Sequence, residues 1–206
     1  MLLRIHPDNP QEKLIKQVAE CLLDGGIIIY PTDTVYGIGC DIFKHKAVEK
    51  IARLRDVNIK KHDFSFICSD LSHLSDFTKP MDRSTYRLMK KALPGPFTFI
   101  LEANNTIPKL FKNNKKTVGI RVPEHDIPRD IVQTLGNPIL TTSIHDDDSI
   151  VEYSADPELI YEKYQNQVDI VIDGGYGNIV PSTIVDCSHG DIEIIRQGLG
   201  DLSGLI

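Results

Sequence analysis

Between residues 30 and 39 the chain reads YPTDTVYGIG, and here groups able to hold a small polar ligand first gather. Thr32, Asp33 and Thr34 place short polar side chains and free backbone donors just past the aliphatic run 27–29. In open α/β sheets ligands settle at such a carboxyl end of a strand. Gly37 and Gly39 permit close backbone approach. The same Thr and Asp side chains could equally close the turn upon its own backbone. The stretch holds no lysine, no nucleophilic cysteine and no phosphate-loop spacing. Asp33 stands beside the loop without an assigned role as base, and no catalytic residue is named.

In PGPFTFIL, residues 94–101, two prolines that cannot donate fix where a strand begins. Alternation then sends Phe97, Phe99 and Leu101 to one face and Thr98 and Ile100 to the other. Thr98 either points into a cavity or is an ordinary strand threonine. In VGIRVP the same period separates Val118, Ile120 and Val122 from Gly119 and Arg121. The glycine leaves room beside the guanidinium. If buried, Arg121 needs a carboxylate or phosphate, either of which suits its planar fork; on an edge strand it would meet water.

The net charge is −6, yet residues 44–121 carry seventeen Lys and Arg against seven Asp and Glu. That segregation suits a basic surface aimed at an anion, or simply solvated helix faces. RLRDVNIKKH supplies Arg53, Arg55, Lys60 and Lys61, and KLFKNNKKT supplies Lys109, Lys112, Lys115 and Lys116. Either could meet polyphosphate or an RNA backbone. Aromatic residues hardly interleave with them, which argues against a stacking platform for single strands. TTSIHDDDS, residues 141–149, combines hydroxyls with His145 and three aspartates, a set for a nucleotide-bound Mg²⁺ or an acidic loop facing water. No G-x-S-x-G elbow supports a hydrolase built on Ser143 and His145. No protein metal site is assigned.

The elements that must position these residues alternate along the chain. PQEKLIKQVAECLLDGG reads as an amphipathic helix, with Leu14, Val18, Cys21 and Leu22 on one face, stopped by Gly25 and Gly26. Further helices are predicted over 45–55, 82–91, 127–135 and 156–163. Strands are predicted over 27–30, 64–68, 97–102, 118–122, 138–142, 168–173, 182–186 and 192–196. The mixture indicates an α/β domain on one large twisted sheet, with the last strands close enough in sequence to pair antiparallel. The 206 residues suit one domain, 1–206. No apolar stretch reaches bilayer length and Pro7 interrupts any leader core, so a cytoplasmic location with no membrane contact is expected. Four cysteines without C-x-x-C spacing are expected to be reduced, with Cys21 and Cys68 buried.

Taken in order, YPTDTVYGIG, PGPFTFIL, GIRVP, TTS, PSTIVD and RQGLG resemble the YrdC-like family, over about residues 10–200. The resemblance implies an α/β fold, a twisted open mixed β-sheet with flanking helices around a positively charged concave cavity. It also implies synthesis of threonylcarbamoyl-adenylate from L-threonine, bicarbonate and ATP, with Mg²⁺ accompanying the nucleotide, for tRNA modification. Some members have been described as double-stranded RNA binders, the alternative function, and RNA, tRNA or tRNA-modification proteins are the implied partners. By motif, Thr32, Thr141 and Ser182 would contact the amino acid and Arg121 its carboxylate. Arg55, Thr98, Ser143 and Arg196 would fall on the ATP side; from the basic stretches themselves, Lys60, Lys61, Lys115 and Lys116 are the candidate RNA or phosphate contacts. Synthase members carry K-x-R and S-x-N, where this chain has Arg55-Asp56-Val57 and Ser143-Ile144-His145. That exchange resembles the YciO branch and implies weak or altered synthase activity.

Overall fold

A computed structural model describes residues 1–59, 64–107, 116–144 and 152–205. The predicted first helix forms as α1 (Glu12–Leu23), burying Ile15, Val18, Ala19 and Leu22. Gly25 ends it at φ +86°, a left-handed conformation that a Cβ would oppose. Gly26 has no such φ; it is small because a Cβ there would run into Cys21. Cys21 itself is half-buried rather than buried, while Cys68 is buried, and all four cysteines are unpaired.

Ten strands build one sheet: β1 (Leu2–Arg4), β2 (Ile28–Tyr30), β3 (Gly37–Asp41), β4 (Ser65–Ile67), β5 (Phe97–Glu102), β6 (Thr117–Arg121), β7 (Ile139–Ser143), β8 (Ile170–Asp173), β9 (Thr183–Asp186) and β10 (Glu193–Arg196). Their spatial order is β1-β8-β2-β3-β7-β4-β6-β5-β9-β10, with parallel and antiparallel pairs mixed. β1 and β3 were not expected. The glycines of β3 read as loop, but β7 pairs with it along its length and β2 with its first three residues. The expected antiparallel run at the end holds for β9 with β10 only. β8 instead lies between β1 and β2, parallel to both, and β9 lies beside β5.

That separation reveals the sheet's shape. Seven strand spacings part β8 from β9, about 34 Å on a flat sheet. A connection over residues 174–182 reaches at most about 36 Å when fully extended, and this one turns at Gly175, φ +97°. The sheet must therefore curl toward itself.

Cross-strand register fixes which residues share a face. Ile28 stands opposite Gly39, Gly39 opposite Thr141, Thr141 opposite Ser65, Ser65 opposite Gly119, and Gly119 opposite Ile100. At one end this face is apolar. Ile28, Tyr30, Ile67, Ile139, Ile170 and Ile172 pack beneath α1 and α4 (Asp126–Leu135), which contribute Val18, Leu22, Ile127 and Ile131. The opposite face carries Ile29, Ile38, Phe66, Phe99 and Ile120 against α2 (His45–Leu54), α3 (Arg83–Ala92) and α6 (Pro157–Tyr164). Short additions to the predicted elements are α5 (Glu152–Ala155) and a 3₁₀ turn, Leu74–Asp76. Among the described residues no helix is long and apolar enough to cross a membrane.

Candidate functional site

Beyond the reach of α1 and α4 the first face changes character. Its residues become Gly37, Thr141 and Ser143, then Ser65, Thr98, Ile184 and Arg196, and they line a cavity of about 370 Å³. That volume lies in the range of small-molecule sites, roughly 300–1,000 Å³. Gly37 is on the fourth strand in spatial order and Arg196 on the tenth, so the curl of the sheet itself makes the hollow. A second hollow of about 40 Å³ shares Ser65, Thr98 and Ile184 as walls and extends over Gly119 toward Phe64 and Ile100.

Six of the predicted residues meet here: Thr98, Arg121, Thr141, Ser143, Ser182 and Arg196. Strand alternation places Thr98 as expected, and its Oγ1 lies 2.8 Å from Ser182 Oγ in a buried hydroxyl pair. Arg196 Nη2 donates to the Ser182 carbonyl at 2.9 Å. Burial, then the nearby Arg121 charge, lowers the Arg196 guanidinium from its ordinary value. Arg196 thus faces the hollow with a guanidinium that an anion there would stabilise.

Arg121 is buried within an interior strand and has found its carboxylate. Its Nη2 donates to Asp33 Oδ1 and to Thr34 Oγ1, each at 3.0 Å. The ion-paired side chains are 10% and 9% exposed, so the pair is largely withdrawn from water. Asp33 Oδ2 also accepts from the backbone of Glu124 at 3.2 Å. Among the described residues Arg121 Nε is a buried side-chain nitrogen with no hydrogen-bond partner. Asp33 is thus a structural counter-charge, a role that no local sequence pattern signals.

Thr32 and Arg55 do not line the cavity. Thr32 is 6% exposed; its hydroxyl donates to the Val35 carbonyl at 2.8 Å and accepts from Thr34 N at 3.0 Å. It closes the turn on itself, the other reading open from the sequence. Arg55 is the half-buried C-cap of α2. Lys116 is exposed where the chain enters β6, with φ +54°. Lys60, Lys61, Lys109, Lys112, Lys115, His145 and the three aspartates after it lie outside the described residues.

Gly39 serves packing, and Gly37 both packs and lines the cavity. A Cβ on Gly39 would collide with Ile139 Cγ2 and the Leu140 carbonyl at 2.5 Å and meet the Tyr30 ring at 3.2 Å, and one on Gly37 would meet the same ring at 3.2 Å and Thr141 Oγ1 at 3.0 Å. Tyr30 therefore lies across β3. At Gly119 the free space holds Ser65 Oγ, 2.6 Å from where a Cβ would stand, not the guanidinium. Ser65 and Tyr36 are lining residues that the sequence reading missed. For Ser65 the signal was available, since FSFIC puts a lone hydroxyl on the face opposite two phenylalanines.

Among its described walls the cavity has no cysteine and no carboxylate. Burial pushes the Cys68 and Cys187 thiols up to about 12 and Cys21 to about 11, so none supplies a thiolate at neutral pH. Among the described residues no group of three or more His, Cys, Asp or Glu is arranged to hold a metal.

These features define an α/β protein whose curled open sheet presents a hydroxyl- and arginine-lined cavity at one end of one face. The Sua5/yciO/yrdC family model, described as "Telomere recombination", matches residues 20–198, and the chain belongs to that family. It is 41% identical over 199 residues to the protein YciO of Escherichia coli (strain K12), itself described as uncharacterized, covering 96% of this chain and 95% of that one. It is 30% identical over 179 residues to the threonylcarbamoyl-AMP synthase of Coxiella burnetii (strain RSA 493 / Nine Mile phase I), covering 86% and 95%. The crystal structure of E. coli YciO superposes with a TM-score of 0.91 at 39% identity, over 100% of this chain and 99% of that one. P. abyssi Sua5 complexed with L-threonine gives a TM-score of 0.85 at 23% identity, over 96% and 57%, a likeness of fold.

Proposed function

We propose that the cavity binds L-threonine and ATP together and supports weak L-threonylcarbamoyl-adenylate synthesis for tRNA modification. The carrying observation is that Arg121 and Arg196, from β6 and β10, reach one hydroxyl-lined cavity whose described walls hold no carboxylate. A guanidinium in that setting binds carboxylate or phosphate through charge-assisted hydrogen bonds, and Arg121 does so through atoms other than the Nη2 that Asp33 and Thr34 hold. A relative 30% identical over 86% of the chain is a threonylcarbamoyl-AMP synthase, which supports this choice of reaction.

Arg121 takes the amino acid's carboxylate, with Thr141 and Ser182 beside it, while Thr98, Ser143 and Arg196 take the nucleotide phosphates. Thr32 acts indirectly, by holding the turn that carries Thr34 and Asp33. Arg55 joins only if the nucleotide extends toward α2. The threonine amine and bicarbonate yield a carbamate and water. A carbamate oxygen then attacks the α-phosphorus and pyrophosphate departs. No protein nucleophile is required, so the walls act by positioning and by stabilising phosphate charge. Mg²⁺ comes with ATP, and the lack of carboxylates among the described walls leaves its ligands to phosphates and water. The changed residues at Arg55-Asp56-Val57 and Ser143-Ile144-His145 account for weak turnover.

Pyrophosphate release measured with each substrate omitted in turn tests the reading, and release only with all three is expected. No release despite nucleotide binding by calorimetry defeats the synthase step alone. Arg196→Ala should weaken ATP about tenfold or more, the loss of a charge-assisted hydrogen bond. Double-stranded RNA binding, the alternative function, is read separately by whether affinity falls steeply with salt.

A further inference from the structure

We propose that Tyr30, which lies behind the cavity floor, is a positioning residue that sets the Thr141 hydroxyl as a donor toward an oxygen of the bound ligand. The inference rests on the ligand-binding reading of the cavity and adds a residue outside its walls.

Tyr30 is fully buried, in the apolar cluster under α1 and α4. From β2 its ring passes over Gly37 and Gly39 on β3, and its hydroxyl lies 2.6 Å from Thr141 Oγ1 on β7. One side chain thus spans three neighbouring strands to touch a residue of the cavity wall. Burial raises the Tyr30 phenol above its ordinary value, so it keeps its proton and donates it. A hydroxyl has one hydrogen and two lone pairs. Once Thr141 accepts from Tyr30, its own hydrogen must go elsewhere. Its protein partner is the Ile38 carbonyl at 3.4 Å, a long contact. A ligand oxygen in the cavity would be a better acceptor, and the Tyr30 bond polarises Thr141 for it. The chemistry selected is an acceptor-only oxygen, carboxylate or phosphate, and an ammonium is disfavoured there. Gly37 follows from this device, because a Cβ there would press on both the Tyr30 ring and Thr141 Oγ1, whereas Gly39 is required first by Ile139 and the Leu140 carbonyl of β7.

The test is a double-mutant cycle of Tyr30→Phe and Thr141→Val, read by calorimetric titration of L-threonine and ATP into the folded protein. Phenylalanine keeps the ring and the packing, and a thermal melt confirms folding for each variant. Tyr30→Phe should weaken the ligand bound at Thr141 about fivefold to tenfold, the worth of one hydrogen bond. The same change made in Thr141→Val should have no further effect. Unchanged binding in Tyr30→Phe, or an equal loss in both backgrounds, overturns the inference while leaving the functional reading intact. If the wild type binds neither ligand, the functional reading fails and this inference falls with it.

Discussion

One face of the sheet is two surfaces. Under α1 and α4 it presents Ile28, Ile67, Ile139 and Ile172, all buried, and the helices close it from water. A few residues further along β4 and β7, and on β3 beside them, it presents Ser65, Thr141, Ser143 and Gly37, with no helical residue among the described walls. β7 makes the change within one strand, since Ile139, Thr141 and Ser143 all point the same way. The difference lies in side-chain volume and polarity. Isoleucines fill the gap to a helix, whereas small hydroxyl residues and glycine leave it open and supply donors. The covered half holds the fold; the open half lines the cavity.

Arg121 is where that division breaks down most, because the open half contains a buried ion pair. Asp33→Ala should cost about 3–5 kcal/mol in urea denaturation, since it strands a buried guanidinium. Added inorganic phosphate should raise the melting temperature of that variant more than that of the wild type. On the covered half, Ile139→Ala should cost about 2–4 kcal/mol through the cavity it leaves. It should not change ligand affinity measured on the folded protein. On the open half, Thr98→Val should cost only about 1 kcal/mol, the bond to Ser182, yet weaken ATP binding. If Thr98→Val proves as destabilising as Ile139→Ala, the contrast between halves is wrong.

The smallest effect concerns pH. His125 is the N-cap of α4, and its Nδ1 accepts from Ile127 N at 3.3 Å, which requires the neutral ring. Burial lowers its pKa below the ordinary 6.5, outweighing Asp33, Asp126 and Asp8, which pull upward. The unfolded chain therefore takes up the proton first. The stability contribution is complete above pH 6.5 and declines as pH falls, until the folded imidazole also titrates. His125→Asn keeps a capping oxygen and should flatten this decline in urea midpoints between about pH 7 and 5.

Periodicity made the faces of β5 and β6 legible, and hence the direction of Thr98 and Arg121. Local patterns failed where the answer was non-local. The Asp33–Arg121 pair joins residues 88 apart, and nothing near either one announces the other. β3 was hidden because its glycines make room for Tyr30 of β2 and for Ile139 and Leu140 of β7, so a strand carried a loop's composition. Thr32 matched the motif yet spends its hydroxyl on its own turn. Closeness in sequence also suggested a β8–β9 hairpin, which the curl of the sheet replaces with a long crossing.

That crossing, residues 174–182, ties opposite rims together. Tyr36 Oη donates to the Gly175 carbonyl at 2.7 Å and Asn178 N donates to the Thr34 carbonyl at 3.1 Å, before Pro181 and Ser182 join the far wall. The gape of the cavity is thereby governed by a tether of set length. Deleting one residue from it should draw the rims together and inserting one should let them spread, so the width of the cavity answers to chain length as well as to the groups that line it.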